Sequence, residues 1–271
     1  MTSFTSKVVL ITGGSSGLGL AAARRLHSAG HRVYGGSRTL APGEPFTGLV
    51  MDVDDDGSVA RGVDEIISRE GRIDVVVNNA GIGYAGSIED LTLEEARRQL
   101  ETNYFGALRL CRAVLPVMRR QMGGLIVNVT SIGAHIALPY QAHYTASKLA
   151  LEGMSQALRM EVGRFGVRVV VVAPGDFCSG FTQHRMRGSR AGGSSAYTSS
   201  FARALNVIER DERTGMQPVR FGMLVERIVR SPHPRRRYVI GPAFERLALR
   251  LKGILPTAWI ESGVRWYYRV G

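Results

Sequence analysis

Tyr144 and Lys148 stand four residues apart in H-Y-T-A-S-K-L-A-L, residues 143–151. Apolar residues recur at three- and four-residue steps from about Tyr144 to Phe165, which predicts a helix. Positions i and i+4 of a helix lie on one face, so the phenol and the ammonium project together. A free tyrosine titrates near 10 and is a poor acid–base group at neutral pH. A neighbouring cation favours the phenolate and lowers that value. Lowering it by about 3 units takes roughly 4 kcal/mol, at about 1.36 kcal/mol per unit. The chain has 35 Lys and Arg residues, of which only Lys7, Lys148 and Lys252 are lysines. Where arginine is the default cation, a lysine one helical turn from a tyrosine is a candidate proton-transfer pair.

The elements that must position this pair begin at the N-terminus. Residues 7–12 form a short apolar run read as a buried strand, followed by T-G-G-S-S-G-L-G at 12–19 and a helical pattern through Leu26. A strand, a glycine-rich turn and a helix start make a phosphate-binding device. Glycine lets the backbone approach a pyrophosphate, and the helix start offers unpaired N–H groups and a partial positive charge. Further strands are expected at about 31–37, 48–51, 73–77, 124–130, 167–173 and 237–240, with helical patterns between them. The alternation predicts a single-domain α/β fold. Its core is a Rossmann-type, doubly wound, parallel seven-stranded sheet with helices on both faces. Ligands of such sheets lie at the carboxyl ends of the strands.

On these residues the chain resembles a short-chain dehydrogenase/reductase. The matching pieces are the 12–19 turn, Asp52-Val53, Asn78-Asn79-Ala80-Gly81, Asn103, Ser131, Tyr144, Lys148 and Pro174-Gly175, with Ser131 thirteen residues before Tyr144. They cover roughly residues 5–240, in the family's order and intervals. The resemblance implies hydride transfer between a nicotinamide dinucleotide and a carbonyl or alcohol substrate. Tyr144 would be the general acid/base. Lys148 would tune it and bind the nicotinamide ribose. Ser131 would polarise the substrate oxygen, and Asn103, in the helix after Thr92, would anchor a water chain to Lys148. Thr130 is a neighbouring hydroxyl without the family's spacing to Tyr144, and a structural role is expected for it. By the same resemblance, Gly13, Ser15, Ser16, Gly17, Leu18 and Gly19 would hold the pyrophosphate. Asp52 and Val53 would flank the adenine, and Asn79, Ala80 and Gly81 would pass beneath its ribose. Pro174 and Gly175 would turn around the nicotinamide, with Ser179 on the carboxamide or a phosphate. The second strand ends in Ser37 and Arg38, where NAD-preferring relatives place an acid. A serine and an arginine suit a 2′-phosphate, so NADP(H) is expected over NAD(H).

Composition adds the rest. Cys111 and Cys178 are expected to be free thiols in a reducing cytoplasm, and no secretory leader pattern opens the chain. His135 and His143 are expected to line a pocket or face solvent, and no His/Cys/Asp/Glu cluster has metal-ligand spacing. Residues 1–176 carry 18 basic and 17 acidic residues, whereas residues 177–271 carry 17 and 6, so nearly all of the +12 net charge lies in the last third. Residues 1–241 read as the dinucleotide-binding catalytic domain. Within it, about 178–217 form a substrate-side lid, whose stretch Gly188–Ser200 is expected to order only over a filled site. Residues 242–271 read as a basic amphipathic extension, divided by Pro256 into two helical pieces. That extension suits packing on the domain, on a second subunit of a homodimer or homotetramer, or peripherally on an anionic membrane. Nucleic acid is not an expected partner. The expected reaction interconverts a secondary alcohol and a ketone or aldehyde. A dinucleotide-binding regulator without turnover is the alternative function. The substrate stays open, with only the tail's resemblance to those of relatives acting on hydrophobic alcohols and ketones pointing to a lipophilic one.

Overall fold

Runs of Val, Ile and Leu with no polar face become strands covered on both sides of a sheet. In chain order the strands are β1 (Val8–Thr12), β2 (Arg32–Ser37), β3 (Thr47–Val50), β4 (Val75–Asn78), β5 (Tyr84–Ala85), β6 (Gly124–Val129), β7 (Val167–Pro174), β8 (Met186–Arg187) and β9 (Arg237–Ile240). The computed structural model describes residues 5–40, 42–193 and 195–270. Residues 1–4, Ala41, Ser194 of the glycine–serine stretch and Gly271 of the tail lie outside the described residues. Seven strands build one parallel sheet in the order β3-β2-β1-β4-β6-β7-β9, the Rossmann-type arrangement read from the sequence. The strand order reverses between β1 and β4, which opens a crevice at their carboxyl ends.

The helices are α1 (Gly17–Ser28), α2 (Asp56–Glu70), α3 (Leu93–Leu100), α4 (Gly106–Arg120), α5 (Ala142–Val162), α6 (Phe181–His184), α7 (Thr198–Arg213), α8 (Pro218–Arg230), α9 (Ala243–Lys252) and α10 (Thr257–Tyr267). Side chains alternate across each strand. Val9, Ile11, Val75, Val77, Val127, Val170 and Val172 therefore meet α1 and α8 through Ala22, Leu26, Phe221, Val225 and Ile228. Val8, Leu10, Val76, Ile126 and Val169 meet α2, α4 and α5 on the other face, through Val63, Ile66, Leu110, Met118 and Leu158.

A buried polar ladder fixes α5 on that second face. Asn78 donates to Asn128 Oδ1 across β4 and β6 at 2.8 Å, Asn128 donates to Ser155 Oγ at 2.7 Å, and Ser155 donates to Leu151 O at 2.6 Å. Apolar packing alone would let a helix slide along the sheet; these bonds set its position.

Three features were missing from the sequence reading or differ from it. β5 and β8 pair in a separate two-stranded parallel sheet, too short to leave a periodic signal. Asn103 sits not in a regular helix but in a π-helical turn, Glu101–Phe105, between α3 and α4. Residues 180–217, whose conformation the sequence left open, contain α6, β8 and α7, and α7 buries Phe201, Ala204, Leu205 and Ile208. The 3.6-residue stripe of α7 starts where the glycine–serine stretch ends, which masked it. The tail does split at Pro256, into α9 and α10. Both cysteines are free thiols. No helix among the described residues is long and apolar enough to cross a membrane.

Phe221 is wholly buried on α8 and meets Phe177 edge-on at 6.3 Å. Phe221→Ala should cost about 3–5 kcal/mol, the usual range for emptying a rigid aromatic site. Urea unfolding measures it, and a loss under about 1 kcal/mol would mean that the α1–α8 layer does not hold the sheet.

Candidate active site

The predicted reactive groups meet at the carboxyl end of β6. Ser131 caps a 3-10 turn, Ile132–Ala134, and its Oγ accepts the Gly133 N–H at 2.9 Å. Thr145 on α5 donates to Gly133 O at 2.8 Å and ties that turn to the first turn of the helix. Tyr144 thereby faces Ser131, whose hydroxyl hydrogen-bonds the phenol. Lys148 is 5% exposed, donates to Val129 O at 3.0 Å, and holds its Nζ 5.9 Å from the centre of the Tyr144 ring.

One electrostatic expectation is corrected. Tyr144 is pushed up to about 12, by burial first, with the Ser131 hydrogen bond pulling the other way. Lys148 is pushed down to about 8, by burial. Desolvation disfavours the charged form of each group, and here it outweighs any help the ammonium gives the phenolate. The tyrosine is held as the neutral acid.

The remaining predicted residues are distributed along one cavity of about 820 Å³. Gly13, Ser15, Ser16, Gly17, Leu18, Ser37, Arg38, Asp52, Val53, Asn79, Ala80, Gly81, Ser131, Tyr144, Lys148, Pro174, Gly175 and Ser179 all line it. Two do not. Gly19 is buried behind the loop, where a Cβ would stand 2.1 Å from Gly13 O, so it seats α1 under the turn. Asn103 is 1% exposed and spends its amide on Ile82 N–H, Ile82 O and Ser147 Oγ, at 2.8, 3.1 and 3.0 Å. It joins the loop after β4 to α5 and makes no direct bond to Lys148. Thr130 is structural, leaning on Val172 O. His135 pairs with buried Glu152 at 2.6 Å, and neither it nor His143 reaches the cavity.

The geometry fits a dinucleotide. Gly17 has φ +53°, and a Cβ there would lie 2.8 Å from Ser179 O, so the chain is pressed close on both sides of the crevice. The N-cap Ser16 spends no side-chain bond on the helix, and no acid stands in the first turn of α1. The first amides of α1 therefore keep their attraction for an anion. Thr12, which sequence reasoning passed over, accepts the N–H groups of Asn79 and Ala80 at 3.0 and 3.1 Å and shapes the crevice wall.

The substrate end was largely invisible in the sequence. Ile136, Leu138, Phe181 and Met186 line it from the body, and Phe244, Ala248, Leu251, Trp259, Ile260 and Val264 from the tail helices. Glu245 on α9 lies against Gly175 and accepts the Asp176 N–H at 3.2 Å. Burial, and then the Glu245 charge beside it, push the Asp176 carboxyl far up, and Glu245 is raised by burial as well. Crowding two carboxyls together out of water disfavours ionising both at once. Glu212 nearby is neutralised by Arg185, and Asp211 by Arg210. No ion pair involves Asp176 or Glu245 among the described residues. Nor do three His, Cys, Asp or Glu residues converge there as metal ligands.

Known proteins share this arrangement. A family model described as short chain dehydrogenase matches residues 7–189. The chain belongs to the short-chain dehydrogenase family. It is thus an oxidoreductase whose crevice takes a nicotinamide dinucleotide, NAD or NADP. A protein named 3-ketodihydrosphingosine reductase, from Bacteroides thetaiotaomicron, is 42% identical over 267 residues, spanning 97% of this chain and 98% of its own. An uncharacterized oxidoreductase of Bacillus subtilis is 31% identical over 270 residues, spanning 93% and 95%. The crystal structure of a short-chain dehydrogenase from Streptomyces avermitilis superposes with a TM-score of 0.79 at 28% identity, covering 99% of this chain and 100% of that one.

Burying Lys148 has a stability cost. The displacement from 10.5 to about 8 corresponds to roughly 3 kcal/mol at about 1.36 kcal/mol per unit. The cost is full below the folded-state value, where both states are protonated. It fades as pH rises from about 8 towards 10.5, because only the unfolded chain then still binds the proton. Lys148→Met should therefore stabilise the cofactor-free protein by about 1–3 kcal/mol at neutral pH, less the lost Val129 bond. The gain should shrink in alkaline buffer. Urea titrations at neutral and alkaline pH check it, and a destabilised variant at neutral pH would overturn it.

Proposed function

We propose that the protein reduces a ketone on a long-chain amino lipid with NADPH, Tyr144 giving the proton. The observation that carries this reading is the Asp176–Glu245 pair, held without a cation in the same apolar cavity as Tyr144 and Ser131. Burial raises both carboxyls, and each disfavours the charge of the other. In a chain of net charge +12, two acids beside the reactive tyrosine with no arginine on them are a specific arrangement. A substrate ammonium supplies the missing charge. The relative named for 3-ketodihydrosphingosine supports this, since that compound is a long-chain ketone with an amine on the neighbouring carbon.

NADPH, when bound, supplies the hydride. Ser131 Oγ accepts the Gly133 N–H, and its own hydrogen, directed at the Tyr144 phenol in the structure, would turn to the substrate oxygen. That donor polarises the carbonyl and steadies the charge developing on oxygen. Tyr144, kept protonated by burial, donates to the same oxygen. Lys148 uses one N–H on Val129 O and has others for the nicotinamide ribose and for reprotonating Tyr144. Asn103 is a positioning residue that holds the Ile82 loop on α5. Ser37 and Arg38 line the far end of the cavity, and Arg38 makes no ion pair among the described residues, which supports NADP(H) over NAD(H). A dinucleotide-binding regulator has no use for a phenol set beside Ser131 and Lys148 on the cavity wall. The free thiols suit a cytoplasmic enzyme. Exposed Phe105, Leu149 and Met160, in the π-turn and on α5, suit a homo-oligomer through those helices.

The deciding experiment is NADPH oxidation with long-chain 2-amino ketones and their N-acetylated counterparts. The amine should be preferred by at least about tenfold in kcat/KM, about 1.4 kcal/mol. Asp176→Asn with Glu245→Gln should erase that preference; one replacement alone leaves the other residue ionised and should keep most of it. Tyr144→Phe should abolish turnover yet bind NADPH as the parent does. Equal rates for amine and amide would remove the carboxyl pair from recognition. Turnover by the phenylalanine variant at the parent's rate would remove Tyr144 from the chemistry.

Arg38→Asp should shift the NADPH/NADH ratio of kcat/KM towards NADH by at least about tenfold, through loss of a charge-assisted bond. An unchanged ratio would take Arg38 out of cofactor choice.

A further inference from the structure

The two tail helices have an outer surface that the cavity does not use. No residue of α9 or α10 is fully buried. Leu247, Ile254 and Trp266 turn away from the cavity and are 55%, 80% and 82% exposed. Phe244 and Trp259, at 53% and 68% exposed, stand at its mouth. Six of the seventeen large apolar side chains that are exposed among the described residues fall within residues 244–266, both tryptophans among them. Exposed apolar surface concentrated like this marks an interaction site.

Cations surround it. Arg246, Arg250, Lys252 and Arg265 are exposed on the same two helices and Arg269 just beyond α10, against a single outward acid, Glu261. Lys252 also donates to His135 O. Beside Trp266, an open groove is lined by Arg203, Arg265 and Arg269. None of these cations has an acid partner among the described residues. We propose that α9, the turn at Ile254 and α10 form a docking face for an anionic membrane surface, with the cavity mouth opening towards the lipid. Tryptophan and leucine enter the headgroup boundary while arginines meet the phosphates.

Charge decides between this occupant and a second copy of the chain. A two-fold contact sets one patch against itself. Five exposed cations would then oppose five more, with one acid on each side to offset them. An anionic bilayer neutralises them instead. The same helices present Phe244, Leu251, Trp259, Ile260 and Val264 to the cavity, so a lipid drawn from the bilayer passes between their side chains towards Tyr144. That delivery step rests on the lipid-ketone reading; the docking does not.

The test is co-sedimentation of the full chain with vesicles of phosphatidylcholine alone and of phosphatidylcholine with about a quarter phosphatidylglycerol. Binding should be strong only on the anionic vesicles and should weaken in high salt. Ile254→Ser with Trp266→Ser should bind at least about tenfold more weakly, as should Arg246→Glu with Arg250→Glu. Both variants should reduce a water-soluble ketone at the parent's rate, which shows that they fold and separates this test from that of the substrate. The proposal falls if the parent ignores anionic vesicles, binds both compositions alike, or binds no better than the variants. It also falls if ultracentrifugation shows that the serine pair breaks an oligomer instead of a membrane contact.

Discussion

The position of α5 against β6 is the constraint on which the site depends. Tyr144 and Lys148 belong to the helix, Ser131 and Val129 to the strand and the turn beyond it, and none of their contacts survives a slip of one residue. The Asn78–Asn128–Ser155 ladder forbids that slip from the sheet side, and the Asn103–Ser147 bond forbids it from the loop side. Both are polar joints in an apolar layer, where an unmade hydrogen bond costs more than a made one gains. They specify register at the one place where register matters.

The same burial that fixes geometry sets the protonation of the site. It raises the phenol, lowers the ammonium and raises the carboxyl pair. Each group is thereby moved towards neutrality, and each stays close to a partner that can take or give a proton. In open water the same side chains would titrate near their ordinary values.

Much of this was legible in the sequence because the cofactor end is built from short local signals. The strands announce themselves by unbroken valine runs, and each main strand lies within two residues of its expected place. The glycine turn, Ser131 and the tyrosine–lysine pair follow fixed spacings that leave little conformational choice. The substrate end is assembled over long distances and gave no such sign. Glu245 meets Asp176 from 69 residues away, and nothing in a basic amphipathic stretch says which of its few acids turns inward. Asn103 was expected to anchor a water chain to Lys148, and only the π-turn reveals that its amide is spent on Ile82 and Ser147. Lys148 was expected to acidify the phenol because a sequence shows proximity and not the desolvation that accompanies it.

The tail has a further consequence for how such a protein changes over generations. The family model matches residues 7–189, which hold the nucleotide crevice and the tyrosine, while α9 and α10 lie beyond it. Substitutions in those two helices alter what lines the roof and the rim without disturbing the ladder that registers α5. The roof of the cavity can therefore be rebuilt while the nucleotide crevice and the register of α5 keep their contacts. A graft of the tail alone from one relative to another is the smallest inheritance by which a new substrate range would be acquired.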